Sequence, residues 1–355
     1  MPDAANVPLP VTRTRATVGS RHVSHHATSL PCGVAELLQP ADMLPIERRV
    51  AMLLIVSSAL QQQGNAQTPP KEPAPGVLVA VGSHRMHLRC LGPSDARVTV
   101  ILEAGGGGFS SHWTRVQELL APRVRSCAYD RAGLGWSEPG PAPRTMRQEV
   151  FELHELLDAT RIHGPLVLVG QSIGGLLVRM YAARYDGDVA GMVLVDPTHE
   201  DDVLYNLGVA RWVRIRDLAK GRLAPEPRRD GAANTGYDPA QDYFADEMEA
   251  IHRARVADPV PLGDRPLIVL AAGKRPPPPG TPDTLWNRLR VEKDGQKVDL
   301  SRLSQNALFA LAPTSTHNIH FDDPGLVARA IEMVVEATST GRKLPPALGA
   351  TSGLK

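Results

Sequence analysis

The stretch Leu166-Val167-Leu168-Val169-Gly170-Gln171-Ser172-Ile173-Gly174-Gly175 runs straight into the helix-like Leu176–Tyr185. Four apolar residues in a row, closed by a glycine, read as a strand covered on both faces. Glycines two residues either side of Ser172 mark a turn too tight for side chains. The spacing therefore predicts strand, sharp turn and helix, with the Ser172 hydroxyl at the tip. The first free N–H groups of such a helix, and its positive dipole end, face any negative charge that develops at the serine.

A serine hydroxyl is a poor nucleophile at neutral pH and needs a base beside it and a sink for the oxyanion it creates. Candidates for the base stand near the C-terminus, where Ser315-Thr316-His317-Asn318-Ile319-His320 precedes Asp322-Asp323-Pro324. Candidates for an orienting acid stand after apolar runs. Asp196 follows Met192–Val195 directly, Asp283 lies beyond Gly273-Lys274-Arg275 and a run of prolines, and Glu200–Asp202 form an acidic cluster. The four consecutive glycines Gly105–Gly108 follow another apolar run and let the backbone turn its amides inward as an anion-binding concavity.

Strands are expected at 77–81, 85–90, 98–103, 125–129, 165–170, 190–195, 266–271 and 307–312, with helices between them. Residues 145–160 place Val150, Leu153, Leu156 and Leu157 on one face, and the last helix does the same with Ala328, Ile331, Val334 and Val335. Such alternation implies an α/β protein with a mostly parallel sheet flanked by helices.

The segments Val98–Trp113, Tyr129–Ser137, Leu166–Gly175, Gly191–Asp202 and Thr314–Pro324 together resemble the α/β-hydrolase superfamily, in its order and spacing. Within it the chain is similar to bacterial serine hydrolases related to carboxylesterases and lipases. The resemblance implies the α/β-hydrolase fold, an eight-stranded and mostly parallel sheet with a helical lid inserted after strand 6. It also implies a triad in chain order serine, acid, histidine. Ser172 is then the nucleophile and His317 the base, with His320 a packing or pocket residue. Asp196 is the first choice of acid, ahead of Asp283. The oxyanion hole falls to the N–H groups of Gly106 and Ile173. Many relatives carry His-Gly where this chain reads Glu103-Ala104-Gly105. Asp130 and Arg131 are expected to hold their loop by hydrogen bonds rather than to do chemistry. In this fold Cys90 and Cys127 lie on neighbouring antiparallel strands, which leaves a bridge and two separate thiols both open.

The implied activity is hydrolysis of carboxylic esters through an acyl-enzyme, which calls for no metal or organic cofactor. The rivals are an amidase or peptidase, a C–C hydrolase and a cofactor-free perhydrolase, with a non-catalytic binding protein outside the class. A net charge of +1 and an aromatic fraction of 4% give no sign of a nucleic-acid partner. The partner expected is a small ester.

Along the chain, residues 1–42 are expected to be a disordered or non-native extension, without hydrophobic period. Residues 43–66 read as a signal peptide, with Arg48-Arg49 ahead of the short apolar stretch Ala51–Leu60. The expectation is a periplasmic or secreted enzyme with no integral membrane segment in its mature chain. Its core spans 67–196 and 265–338, with the lid at 197–264 and a loose tail at 339–355. Tyr205, Trp212, Tyr237, Tyr243 and Phe244 are the aromatics of that lid.

Overall fold

The apolar runs become strands in the places their pattern predicts. The computed structural model describes residues 74–205, 243–277 and 280–348. Its strands are β1 (Val77–Val81), β2 (His84–Leu91), β3 (Thr99–Glu103), β4 (Arg125–Tyr129), β5 (Leu166–Gln171), β6 (Val189–Val195), β7 (Leu267–Ala272) and β8 (Ala307–Ala312). They form one eight-stranded sheet in the order β1-β2-β4-β3-β5-β6-β7-β8. β2 runs antiparallel to both β1 and β4, and every other pair is parallel.

The central strands lack polar alternation because both faces are covered. Ile101, Leu168, Leu194 and Val269 join one buried cluster. Val100, Leu102, Val167, Val169, Val193 and Leu270 join the other. The period of two in a strand sends neighbours to opposite faces, so each face needs its own apolar helix stripe. On the first face lie α2 (Met146–Ala159) and α3 (Gly174–Arg184), through Val150, Leu153, Leu156 and Leu176. On the second lie α1 (Thr114–Leu120) and the last helix, α7 (Pro324–Thr340), through Val116, Leu120, Ile331 and Val334. Each such side chain taken fully from water contributes about 1.5–3 kcal/mol.

Helix ends follow their capping residues. Thr145 accepts the N–H of Gln148 to start α2. Asp323 accepts that of Leu326 ahead of Pro324 to start α7, and Gly341, left-handed at φ 67°, ends it. Residues 341–348 do not form the loose tail expected: Leu344 and Leu348 pack on the core, and Leu344 donates its N–H to the Asn306 side chain.

The chain does leave the sheet for a long excursion between β6 and β7. Of the expected lid, residues 206–242, with Trp212 and Tyr237, lie outside the described residues. Its described residues, 197–205 and 243–264, include helix α4 (Tyr243–Ala257). Met248 and Phe244 pack into the core, and the Glu247 carboxylate accepts the N–H groups of Met146 and Arg147 at the start of α2. Tyr205 is exposed. The extension at 1–42 and the expected leader at 43–66 also fall outside the described residues. Also among the described residues are α5 (Asp283–Leu300) after β7 and the one-turn α6 (Ile319–Asp322) ahead of α7.

Candidate active site

Register brings the ends of β5, β6, β7 and β8 to one edge. Gln171 pairs with Val195, Val195 with Leu270, and Ala272 with Ala312. The residues just beyond these ends are Ser172, Asp196, Gly273–Arg275 and the loop to His317. This is the carboxyl edge of a parallel sheet, where open α/β folds hold ligands.

Ser172 sits at φ +54°, a left-handed conformation that a residue with a side chain adopts only when its surroundings impose it. Steric contacts show why its neighbours are glycines. A Cβ on Gly170 would stand 2.4 Å from the Gly174 carbonyl oxygen, and one on Gly174 would stand 2.7 Å from that of Ala104. The turn is tied to the next strand by Ser172 N–H to Val195 O (3.1 Å) and Thr198 N–H to Ser172 O (2.9 Å).

Asp196 directly continues β6, also at positive φ (+39°). Its Oδ2 lies 2.7 Å from His317 Nδ1. His317 reaches this edge from the β8–α6 loop, with its side chain 52% exposed against 5% for Asp196. The other face of His317 meets Gln171, whose Nε2 lies 3.3 Å from both His317 Nε2 and the His317 carbonyl. The Ser172 Oγ stands 3.5 Å from Thr198 Oγ1. Asp196 and His317 thus meet at the edge that also carries Ser172, while the imidazole Nε2 contacts Gln171, the residue before the serine, and the Ser172 hydroxyl contacts Thr198. Asp283 is exposed in the first turn of α5 and has no hydrogen bond to His317 among the described residues. Glu200 is paired with Arg179 (2.7 Å) and Arg255 (2.6 Å). His320 is buried against Trp113 at 4.9 Å between ring centroids, and burial drives its proton off until about pH 3.

The Asp196 carboxylate carries partners that the sequence did not announce. Its Oδ1 accepts from Arg275 Nη2 (2.7 Å) and the Ala272 N–H (3.2 Å), with Lys297 Nζ at 3.7 Å. Burial alone would raise its pKa. Lys297, the His317 hydrogen bond and Arg275 outweigh burial and hold Asp196 well below the usual carboxylate range.

The glycine loop lies against the serine: a Cβ on Gly105 would stand 3.2 Å from Ser172 Cβ. Arg131 holds this loop from beneath, donating to Ala104 O and Gly105 O (2.8 Å each) and pairing with the buried Glu103. Glu103, Glu149 and Tyr129 keep Arg131 charged despite its burial. Asp130 accepts the N–H groups of Ser110 (2.7 Å) and Trp136 (2.8 Å). Both residues therefore bind their loops together, the role expected of them. Among the described residues, neither the Gly106 nor the Ile173 N–H is spent on a backbone carbonyl. Ile173 is the N-cap of α3.

Cys90 and Cys127 face each other across β2 and β4 and form a disulfide. For a metal, His199, Glu200 and Asp201 each bring a ligand atom within 4.8 Å of the others. Arginines already fill that role, since Arg255 also contacts Asp201 at 3.3 Å. A cavity of about 720 Å³ between α3 and α4, lined by Met180, Ile251, Leu262 and Arg265 among others, includes none of the three site residues.

This sheet order, with a strained serine after its fifth strand and an acid–histidine pair beside it, defines a hydrolase of the α/β class. The Alpha/beta hydrolase family matches residues 100–330, and the chain belongs to it. Among its relatives is the Bacillus subtilis protein named uncharacterized protein YqjL, 28% identical over 66% of this chain and 82% of that one. The chain spans only 45% and 54% of two longer fungal relatives. A Mycobacterium tuberculosis relative named lipase LipV is 38% identical over 41% of this chain and 51% of its own. A thermophilic esterase of Thermogutta terrifontis shares the fold at TM-score 0.50 and 20% identity, over 74% of this chain and 99% of that one.

The relatives overturn the expected periplasmic or secreted location. Two from Saccharomyces cerevisiae, each 29% identical over 43% of this chain, are named as vacuolar membrane proteins. Among the described residues no helix is long and apolar enough to cross a membrane. The apolar stretch that suggested export is not among those residues.

Proposed function

We propose that the chain hydrolyses carboxylic esters with Ser172 as nucleophile, His317 as general base and acid, and Asp196 as the orienting acid. The observation that carries this is the 2.7 Å contact from Asp196 to His317 Nδ1 at the edge where Ser172 is held at positive φ. That contact fixes the Nδ1–H tautomer and leaves the Nε2 lone pair for the serine proton. The Gln171 amide stands at Nε2 and yields it to the Ser172 hydroxyl when substrate enters.

Ser172 Oγ then attacks the ester carbonyl carbon and His317 takes its proton. The N–H groups of Gly106 and Ile173 receive the oxyanion. Collapse breaks the bond to the alkoxy oxygen, which leaves with the proton from His317. Water, deprotonated by the same imidazole, releases the acid and regenerates Ser172. The mycobacterial relative named a lipase favours an ester over an amide.

Ser172→Ala should abolish turnover of short p-nitrophenyl esters and labelling by a fluorophosphonate while leaving the unfolding transition in place. Ester turnover surviving in that variant would remove Ser172 from the mechanism. A panel of esters of graded acyl length, run beside one amide, separates this reading from an amidase.

A further inference from the structure

We propose that Arg275 and Lys297 form a cationic brace on the back of Asp196, through which α5 sets how strongly the carboxylate holds a proton on His317. The proposal rests on the reading of Ser172, His317 and Asp196 as a triad, and it makes Arg275 and Lys297 positioning residues.

Orientation alone does not need them. Oδ2 is fixed by His317 and Oδ1 by the Ala272 N–H, which lies on β7. The two cations come from elsewhere, Arg275 from the loop after β7 and Lys297 from α5. Arg275 is two-armed, giving Nη2 to Asp196 at 2.7 Å and Nη1 to Asp294 at 2.8 Å. Lys297 donates to the Pro197 carbonyl and points the same ammonium at Asp196. Asp294 and Lys297 stand three residues apart, on one face of α5. One turn before Lys297, Lys293 holds Asp202 at 3.1 Å, so this face of the helix is stapled along the segment that follows β6. Arg275 and Lys297 are 13% and 12% exposed, which leaves little water to screen them.

Charge then decides the effect. Asp196, Asp294, Arg275 and Lys297 sum to zero, so an imidazolium at His317 faces a neutralised acid. Removing one cation leaves a net negative charge beside it and favours the protonated ring. Removing Asp294 does the reverse. The remaining charged groups near the ring are unaltered by these changes. They are Asp322 on α6, beside the neutral His320, and, acting on Lys297, the Lys293–Asp202 pair. Burial, opposed by Asp196, brings Lys297 down to about 8, so the brace keeps both its charges through neutral pH.

The test is the acid limb of kcat/KM for a p-nitrophenyl ester, followed in parallel by the titration midpoint of the His317 C2 proton in NMR spectra. Arg275→Gln and Lys297→Met should each move both to higher pH by about one unit. Asp294→Asn, at a half-exposed position, should move both down. Lys297→Arg, which keeps the charge, should restore the wild-type midpoint. A midpoint unmoved in all of the folded variants would overturn the brace, as would a uniform loss of kcat with no displacement. If the wild type neither turns over ester nor labels with fluorophosphonate, the triad reading falls, whereas the NMR displacement still decides the brace.

Discussion

The two halves of the candidate site are built by different physics. Around Ser172 the determinants are steric and local. Positive φ at Ser172 and close backbone approaches at Gly170 and Gly174 that only glycine tolerates lie within five residues of chain, apart from the Glu103 and Ala104 carbonyls at the end of the neighbouring strand. Around Asp196 the determinants are electrostatic and remote: groups from residues 272, 275, 297 and 317 meet one carboxylate. A motif enforced by shape leaves its mark in adjacent letters. A motif enforced by charge leaves scattered ions that look like any surface pair until the fold collects them.

The largest effect should come from the electrostatic half. Asp196→Asn keeps the shape but loses the charge that stabilises the imidazolium and fixes its tautomer. It should lower kcat about 10⁴-fold. Asp283→Asn, at an exposed helix start, should leave kcat within about twofold, as surface changes do. Comparable losses in the two variants would break the assignment of roles, and the measurement is steady-state ester hydrolysis with the fold checked by circular dichroism.

Legibility divides along the same line. The strands expected at 77–81, 125–129 and 307–312 fall on the residues found, and the others shift by a residue at one or both ends, because continuous apolar runs need cover on both faces. Ser172 was readable because glycine spacing reports backbone sterics. His317 was readable only through its place ahead of Asp323-Pro324, which caps and starts α7. Asp196 and Asp283 could not be separated by residue type, since both follow apolar strands. Register separated them, through Val195 opposite Leu270 and the Asp196 N–H on the Leu270 carbonyl. Gln171 and Thr198 escaped notice because a polar residue beside a turn carries no periodic signal. Leu344 and Leu348 were too sparse beyond the last helix to announce their packing.

The steric half is sharpened by Gly174→Ala. The added Cβ would press on the carbonyl oxygens of Ala104 (2.7 Å) and Glu103 (2.8 Å), backbone atoms that move only with the whole glycine loop. A shift of that loop displaces its amides from the oxyanion, and misplacement on the order of 1 Å costs about 10²-fold. The loss should appear in kcat rather than in KM, because the oxyanion exists only in the transition state. An alanine variant with unaltered kcat would mean that the glycine loop and the turn at Ser172 are not packed as tightly as the contacts imply.

A smaller and pH-dependent effect tests whether the steric half is free of electrostatics. Glu103 lies under the glycine loop, buried and in contact with Tyr129 and Arg131. Burial pushes its pKa up to about 6 from the ordinary 4.5, and Arg131 and Tyr129 only partly oppose this. The folded chain therefore holds the Glu103 proton more tightly than the unfolded one. The stability this contributes is complete below about pH 4.5 and is lost as pH rises through about 6. A displacement of this size corresponds to about 2 kcal/mol. Glu103→Gln cannot lose that proton, so the variant should gain on the wild type by up to this amount between pH 4.5 and 7. Loss of the Glu103 partner leaves Arg131 with Glu149 and two carbonyls and adds a cost that does not vary over the same range. Urea unfolding of both proteins across that interval reads the difference directly. A difference constant with pH would show that Arg131 keeps Glu103 ionised throughout. The glycine loop would then rest on a permanent ion pair, as Asp196 does.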